Sequence, residues 1–339
     1  MFMKIIVDAM GGDQAPSEIV KGAINASIEN KDIEIILIGD KEKINQSLPK
    51  NKNSAKYKIY HSSQSVEMND KPSQIIKKKP DSSIVSGLSL LKAKKAHAFV
   101  SAGSTGAILA ASLLLLGRID GVKRPALGVF FPVGEKGIVL CDAGANTEAK
   151  PAHLVQFSVM ASKYMSHIRG VKNPSIGLLN IGEEETKGTE SYIEAHKLMK
   201  KCIPSFIGNI ESRYLFEGKT EIVVCDGFLG NNIVKIAEGW INHVNNEVSS
   251  KFIKKIKSNA EKNTIKSIFS EIMKDFDYEE YGGVPLLGVN GTVIKCHGRS
   301  SAKAIKNAIL VANKCVKENL IDSIKNDISS TFSIIKNLI

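Results

Sequence analysis

Aromatic residues make up only 6% of this 339-residue chain, and nowhere do they alternate with basic residues to form the stacking platform that single-stranded nucleic acid requires. There is no zinc-finger spacing and no recognition helix either, so nucleic acid is not an expected partner. Cysteine is sparse. Cys141, Cys202, Cys225, Cys296 and Cys315 are odd in number and include no C-x-x-C pair, which argues against a disulfide framework or structural zinc and for reduced thiols in the cytoplasm. The longest apolar run, Ile108–Leu116, is far short of the ~20 residues of a membrane span. The chain passes from Met1–Val7 straight into an acidic turn, so no leader segment is expected. Apart from Arg118, Arg124, Arg169, Arg213 and Arg299, every basic residue is lysine. The net charge of +11 therefore reads equally as attraction for an acidic partner and as compositional bias. G-x-x-x-x-G-K-[ST], G-x-S-x-G and H-E-x-x-H are absent, and the first glycine turn reads D-A-M-G-G-D rather than G-x-G-x-x-G. These absences argue against an ordinary P-loop enzyme, a serine hydrolase with a nucleophile elbow, a zinc protease and a standard dinucleotide fingerprint.

What the chain does contain is a recurrence. Six times an apolar strand leads through a glycine-containing turn towards a helix, at Lys4–Asp13, His97–Gly106, Gly137–Asn146, Ser175–Glu185, Glu221–Gly230 and Gly291–Ser300. Elsewhere Ile33–Gly39 and Lys56–His61 predict strands. Helices are expected from Pro16 to about Asn30, over Ser83–Ala96 and Thr105–Leu116, and at about Ala149–Ile168 and Thr189–Lys201, with Gln64–Pro80 as a polar loop. Ala126–Pro132 and Gly137–Asp142, joined by a short turn at Gly134, predict a hairpin and hence a mixed sheet. The alternation predicts an α/β protein with helices on both faces of a sheet, organised as one large unit over 1–339 with a helical protrusion at about 250–277. Ligands of such sheets bind beyond the carboxyl ends of the strands. Glycines there admit close backbone approach, and helix amino termini favour anions. The six turns are expected to converge on a crevice for a phosphate-containing substrate.

The runs V-D-A-M-G-G-D-Q-A-P at Val7–Pro16, S-A-G-S-T-G-A at Ser101–Ala107, D-A-G-A-N at Asp142–Asn146 and G-L-L-N-I-G-E-E-E-T-K-G at Gly177–Gly188 carry a specific resemblance, as do C-D-G-F-L-G-N at Cys225–Asn231 and Y-G-G-V-P-L-L-G-V-N-G with H-G-R-S at Tyr281–Ser300. In order and spacing they resemble the phosphate acyltransferase family of bacterial phospholipid synthesis. Two positions depart from it: Ser104 stands where the family has asparagine, and Tyr214 where it has an acid. The resemblance implies a three-layer αβα fold with a mostly parallel mixed sheet, similar to phosphotransacetylase and the isocitrate/isopropylmalate dehydrogenase-like proteins, and a homodimer. It also implies transfer of a long acyl chain from acyl carrier protein to inorganic phosphate. The acyl phosphate would pass to a membrane-bound acyltransferase that acylates glycerol 3-phosphate. The alternatives are a short-chain phosphotransacylase acting on acyl-CoA, a dehydrogenase of the same fold and, outside enzymes, a basic membrane-surface module.

Phosphate is already anionic at neutral pH, and a thiol of pKa ~8.5 leaves readily, so this reaction needs positioning and oxyanion stabilisation more than a strong base. Lys187 suits contact with phosphate or a developing oxyanion; its alternative is a solvated lysine neutralised by Glu183–Glu185. His297 suits donation to the oxyanion or the leaving sulfur, or else is held by local backbone hydrogen bonds. Asn180 completes the expected catalytic set. The expected substrate- and phosphate-binding residues are Asp8, Gly11, Gly12, Asp13, Ser101, Ser104, Thr105, Gly106, Asp142, Asn146, Glu183, Asp226, Gly227, Asn231, Gly298 and Ser300, although asparagine beside glycine also suits a plain turn. No cofactor or metal is expected. Magnesium held by Asp8, Asp13, Asp142 and Asp226 is the alternative to those carboxylates capping helices and orienting lysines. Finally, Ile265, Ile268, Phe269 and Ile272 form an apolar stripe at helical spacing within the lysine-rich stretch Phe252–Phe276. The stripe is expected either to meet an anionic membrane surface, placing the protein peripherally on the membrane, or to bury against a core or dimer partner.

Overall fold

The computed structural model describes residues 2–67, 69–247, 258, 261, 263, 264, 267, 268 and 278–336. In chain order the elements are β1 (Met3–Asp8), α1 (Ser17–Glu29), β2 (Ile33–Gly39), α2 (Lys41–Ser47), β3 (Tyr57–His61), α3 (Ile75–Lys78), α4 (Ser83–Lys92), β4 (Ala98–Ser101) and α5 (Thr105–Leu115). Next come β5 (Ala126–Phe131), β6 (Ile138–Cys141), α6 (Pro151–Tyr164), β7 (Ile176–Asn180), α7 (Glu190–Cys202), β8 (Phe206–Glu211), β9 (Ile222–Val224) and α8 (Gly227–Glu247). The chain closes with α9 (Tyr278–Tyr281), β10 (Val284–Leu287), β11 (Thr292–Lys295), α10 (Ala302–Lys317) and α11 (Leu320–Lys336).

The eleven strands of the described residues form one sheet, in the order β3-β2-β1-β4-β11-β10-β5-β6-β9-β7-β8. The strands are near-continuous apolar runs because helices cover both faces, as parallel sheets require. Along β1, Ile5 and Val7 enter one core with Ile24 of α1 and Ile305 of α10, while Ile6 enters another with Leu88 of α4 and Ile108 of α5. Each such fully buried aliphatic side chain contributes about 1.5–3 kcal/mol. The result is the expected three-layer αβα architecture, and β5 and β6 pair as the expected antiparallel hairpin.

Strand direction corrects one expectation. β3, β2, β1, β4 and β11 are mutually parallel, as are β6, β9, β7 and β8. Between these blocks the direction reverses three times, at β11–β10, β10–β5 and β5–β6. The two blocks therefore run in opposite senses. The six glycine turns do not share one edge; they divide into three and three.

Smaller differences are local. Gln64–Pro80 contains α3, and α4 stops at Lys92, short of Lys94, which has a left-handed φ of 55°. Ile265, Phe269 and Ile272 lie outside the described residues, whereas Ile268 is 53% exposed. Among the described residues no helix is long and apolar enough to cross a membrane.

Candidate active site

The first group gathers at the carboxyl ends of β1, β4 and β11. Register places Ser101 beside Lys295. The Ser101 hydroxyl donates to Asp8 Oδ2 at 2.6 Å and accepts from Gly103 N–H at 3.0 Å. Asp8 also accepts from Met10 N–H at 3.1 Å and is completely buried. Burial raises its carboxyl above the ordinary value, while the hydrogen bonds to Ser101, Ser83, Met10 and Gly11 pull it back. Gly11 packs against Gly103 N, and Gly12 between Ala102 and Gly298 O, so these turns adjoin. Asp13 is exposed, and its N–H donates to Gly298 O at 2.7 Å. Ser104 stands at the N-cap of α5 without a side-chain capping bond, leaving it, Thr105 and Gly106 half-buried at an uncapped helix start. Such a start presents backbone donors to anions.

His297 extends this group. Its Nδ1 accepts from Arg299 N–H at 3.1 Å, which puts the proton of the neutral ring on Nε2, 4.0 Å from Glu238 Oε1. Burial lowers its pKa, Glu238 opposes that, and Lys295, Lys235 and Arg299 reinforce it. Ser300 is buried and donates its N–H to His297 O at 3.0 Å. Lys295 and Glu238 were not among the residues expected from sequence. Lys295 immediately precedes the C-H-G-R-S turn, but only packing shows that this lysine is half-buried.

The second group gathers at the carboxyl ends of β6, β7 and β9. Asp142 is fully buried and accepts five hydrogen bonds: from the N–H groups of Leu127, Gly144, Ala145 and Asn146, and from Asn146 Nδ2, at 2.8–3.2 Å. Burial raises its carboxyl, and these donors limit the rise. Both oxygens of Asp142 are thus engaged in building the turn. Asn146 Nδ2 also donates to Pro125 O at 2.7 Å, and Gly227 N–H donates to Asn146 O at 2.7 Å. Gly230 lies so close that any Cβ there would overlap Asp142 O, and the side chain of Asn231, an exposed residue, covers Gly144. Asp226 accepts from Leu229 N–H in the first turn of α8 at 2.9 Å and from Tyr192 OH at 2.7 Å. Tyr192 is a further residue that sequence reasoning missed, since its helical position gives no sign of this contact.

Asn180 uses both ends of its amide internally. Nδ2 donates to Lys187 O and Oδ1 accepts from Ile181 N–H, each at 2.9 Å. The turn so formed needs glycine at 188, where φ is +96° and a Cβ would meet Asn180 Oδ1 at 2.5 Å. The turn holds Lys187 half-exposed, with its Nζ 4.0 Å from Glu184 Oε1, and Glu183 is exposed. Asn180 therefore shapes the loop that carries Lys187.

Helix α8 connects the groups. It starts at Gly227 in the second and brings Glu238 to His297 in the first, about 16 Å along its axis at 1.5 Å per residue. The four aspartates considered for magnesium are consequently split, Asp8 and Asp13 in one group, Asp142 and Asp226 in the other. Among the described residues no three His, Cys, Asp or Glu side chains form a metal-holding cluster.

The fold comes first: the sheet and its covering helices are those of phosphotransacetylases. The chain superposes on a phosphotransacetylase from Streptococcus pyogenes with a TM-score of 0.65 at 18% identity, covering 94% of each chain. On a branched-chain phosphotransacylase from Enterococcus faecalis the TM-score is 0.58 at 14% identity, covering 93% of this chain and 99% of the other. At such identities the likeness speaks for fold alone. Sequence goes further. A family model described as a fatty acid synthesis protein matches residues 3–323. Proteins named phosphate acyltransferase from Halothermothrix orenii and Desulfitobacterium hafniense are 45% and 48% identical over 330 and 331 residues, covering 96% of this chain and 99% and 98% of theirs. The chain belongs to the phosphate acyltransferase family and is an acyltransferase enzyme.

Proposed function

We propose that this enzyme transfers a long-chain acyl group from acyl carrier protein to inorganic phosphate, with the reaction at the first group. The observation that carries this placement is the uncapped start of α5, which follows β4, at the same sheet edge as the His297 turn, which follows the neighbouring β11. In the second group, by contrast, Asp226 already occupies the start of α8. A phosphate oxygen attacks the thioester carbonyl carbon, forming the C–O bond. The C–S bond breaks, and the proton of hydrogen phosphate ends on the departing sulfur. His297 Nε2–H donates to the oxyanion in between. Asp8 and Ser101 hold the turns in register.

The test is to supply a long-chain acyl-acyl carrier protein and follow thiol release. Release should require inorganic phosphate, and hydroxylamine should trap the product as a hydroxamate. A stable acyl-enzyme seen by intact mass spectrometry would overturn direct attack. Preference for a short-chain acyl-CoA, or a demand for NAD or magnesium, would support the alternatives instead.

Two further parts of the reading concern surroundings. The exposed side chains Phe228, Ile236 and Trp240 lie along one side of α8, an apolar strip that supports a homodimer paired through this helix. Trp240 is the only tryptophan, so its emission reports the strip directly. Ile236→Asp should halve the mass in sedimentation and red-shift that emission; an unchanged wild-type mass equal to one chain would refute pairing. The acyl phosphate is a greasy product suited to a membrane-bound acyltransferase as its acceptor, which together with exposed Ile268 supports peripheral contact with an anionic membrane surface. Co-sedimentation with anionic vesicles decides that point.

A further inference from the structure

Lysine is almost never buried unless a partner compensates its charge. Lys295 approaches that case. It is half-buried at the end of β11, and its ammonium makes no hydrogen bond or ion pair among the described residues. Its strand neighbours show which way it points. Ile294 and Cys296 enter the core beneath α10, whereas Val293 enters the core beneath α4 and α5, so Lys295 and His297 share the α5 and α8 side of the sheet. Asp8 cannot serve as its counter-ion. It is two strands away, roughly 10 Å between backbones at the usual spacing, and Ser101 stands between them as its hydrogen-bond donor. Glu238 is an acid on that side, but it is shared between Lys235 Nζ at 3.7 Å and His297 Nε2 at 4.0 Å.

We propose that Lys295 is a phosphate-binding residue, its ammonium contacting the inorganic phosphate that attacks the thioester beside His297. This rests on placing the reaction at the first group. Burial holds the Lys295 pKa below its ordinary value and Lys235 adds to that, an arrangement a bound anion would reverse. A lysine kept only for packing would behave differently. Replacing a half-buried, unpaired charge by an apolar side chain of similar length should then be neutral or stabilising and leave substrate binding alone.

Lys295→Met and Lys295→Arg in the full-length chain separate these cases. With inorganic phosphate alone, thermal unfolding of the wild-type protein should rise with phosphate concentration, as a ligand of the native state requires. The Met variant should melt at or above the wild-type temperature without phosphate and lose the phosphate-dependent rise. In turnover, its KM for phosphate should increase at least tenfold, while KM for the acyl donor changes less than twofold; Arg should recover most of the loss. If the Met variant does not fold, phosphate protection of Lys295 against reductive methylation in the wild-type protein, read by peptide mass, decides instead. No phosphate-dependent rise in the wild-type protein, an unaltered phosphate KM in a folded Met variant, or absent protection would overturn the assignment. A phosphate-dependent rise that needs Lys295, without phosphate-dependent thiol release, would leave the binding site standing and refute the proposed reaction.

Discussion

Asp142→Ala should yield no cooperatively folded protein. The carboxylate is fully buried and accepts five hydrogen bonds, which tie β5 to the turn after β6 through Leu127 and close that turn on Asn146. Each donor left without a partner costs about 1–3 kcal/mol. The sum is comparable with the whole stability of an ordinary protein, about 5–15 kcal/mol. Water entering the vacated space would satisfy some donors, but Gly230 presses on the same turn and leaves little freedom to rearrange. Asp142→Asn keeps one acceptor for Leu127, Gly144 and Ala145 but turns an NH₂ towards the donors of Asn146, so a loss of about 3 kcal/mol is expected. Urea melts followed by circular dichroism measure both. An alanine variant that melts cooperatively within about 1 kcal/mol of wild type would show that the turn is supported by something other than this carboxylate.

Lys187→Ala should lower kcat/KM for the proposed acyl-carrier donor about fivefold, the scale of losing an exposed ion pair worth about 1 kcal/mol. Its ammonium is half-exposed, with only a 4.0 Å approach from Glu184, and the loop beneath it is fixed by Asn180. The variant should therefore fold normally. The second group stands about one half of α8 away from His297. With the acyl carrier protein donor proposed above, the anion expected to meet Lys187 is the phosphodiester of the donor's pantetheine arm. An acyl-pantetheine lacking that phosphodiester should react equally well with wild type and variant. Equal loss with both donors would move Lys187 to the reacting centre, and no loss with either would make it a solvated surface lysine.

Much of the architecture was legible because strands and helices have different apolar periods. The short, apolar, glycine-bounded segments at 126–131 and 138–141 announced their hairpin, and every segment ending in a glycine turn became a strand. What sequence did not reveal depends on contacts between distant segments. Nothing in Val284–Leu287 or Thr292–Lys295 announces that these strands enter the middle of the sheet and reverse its direction. The candidate site suffered in the same way. Asp8, Asp142, Asn180 and Asp226 have the residue types of ligand contacts, yet their polar atoms are engaged with neighbouring backbone or side-chain groups. Lys295 sat inside a recognised motif without being singled out, because a lysine's burial is decided by what packs over it.

The late position of β10 and β11 also governs the order in which the molecule can be completed. Translation delivers β1 to β4 and β5 to β9 first, and each block can pair internally. The inner borders of the blocks, β4 and β5, remain open until Thr292 reaches Ala98 and Leu286 reaches Leu127. Only then does α10 follow to seat against Gly22 of α1. Pairings across such long sequence separations form slowly, and uncovered strand borders invite association with other chains. A nascent chain stopped short of β10 is thus two unfinished sheets whose borders at β4 and β5 lack their strand partners.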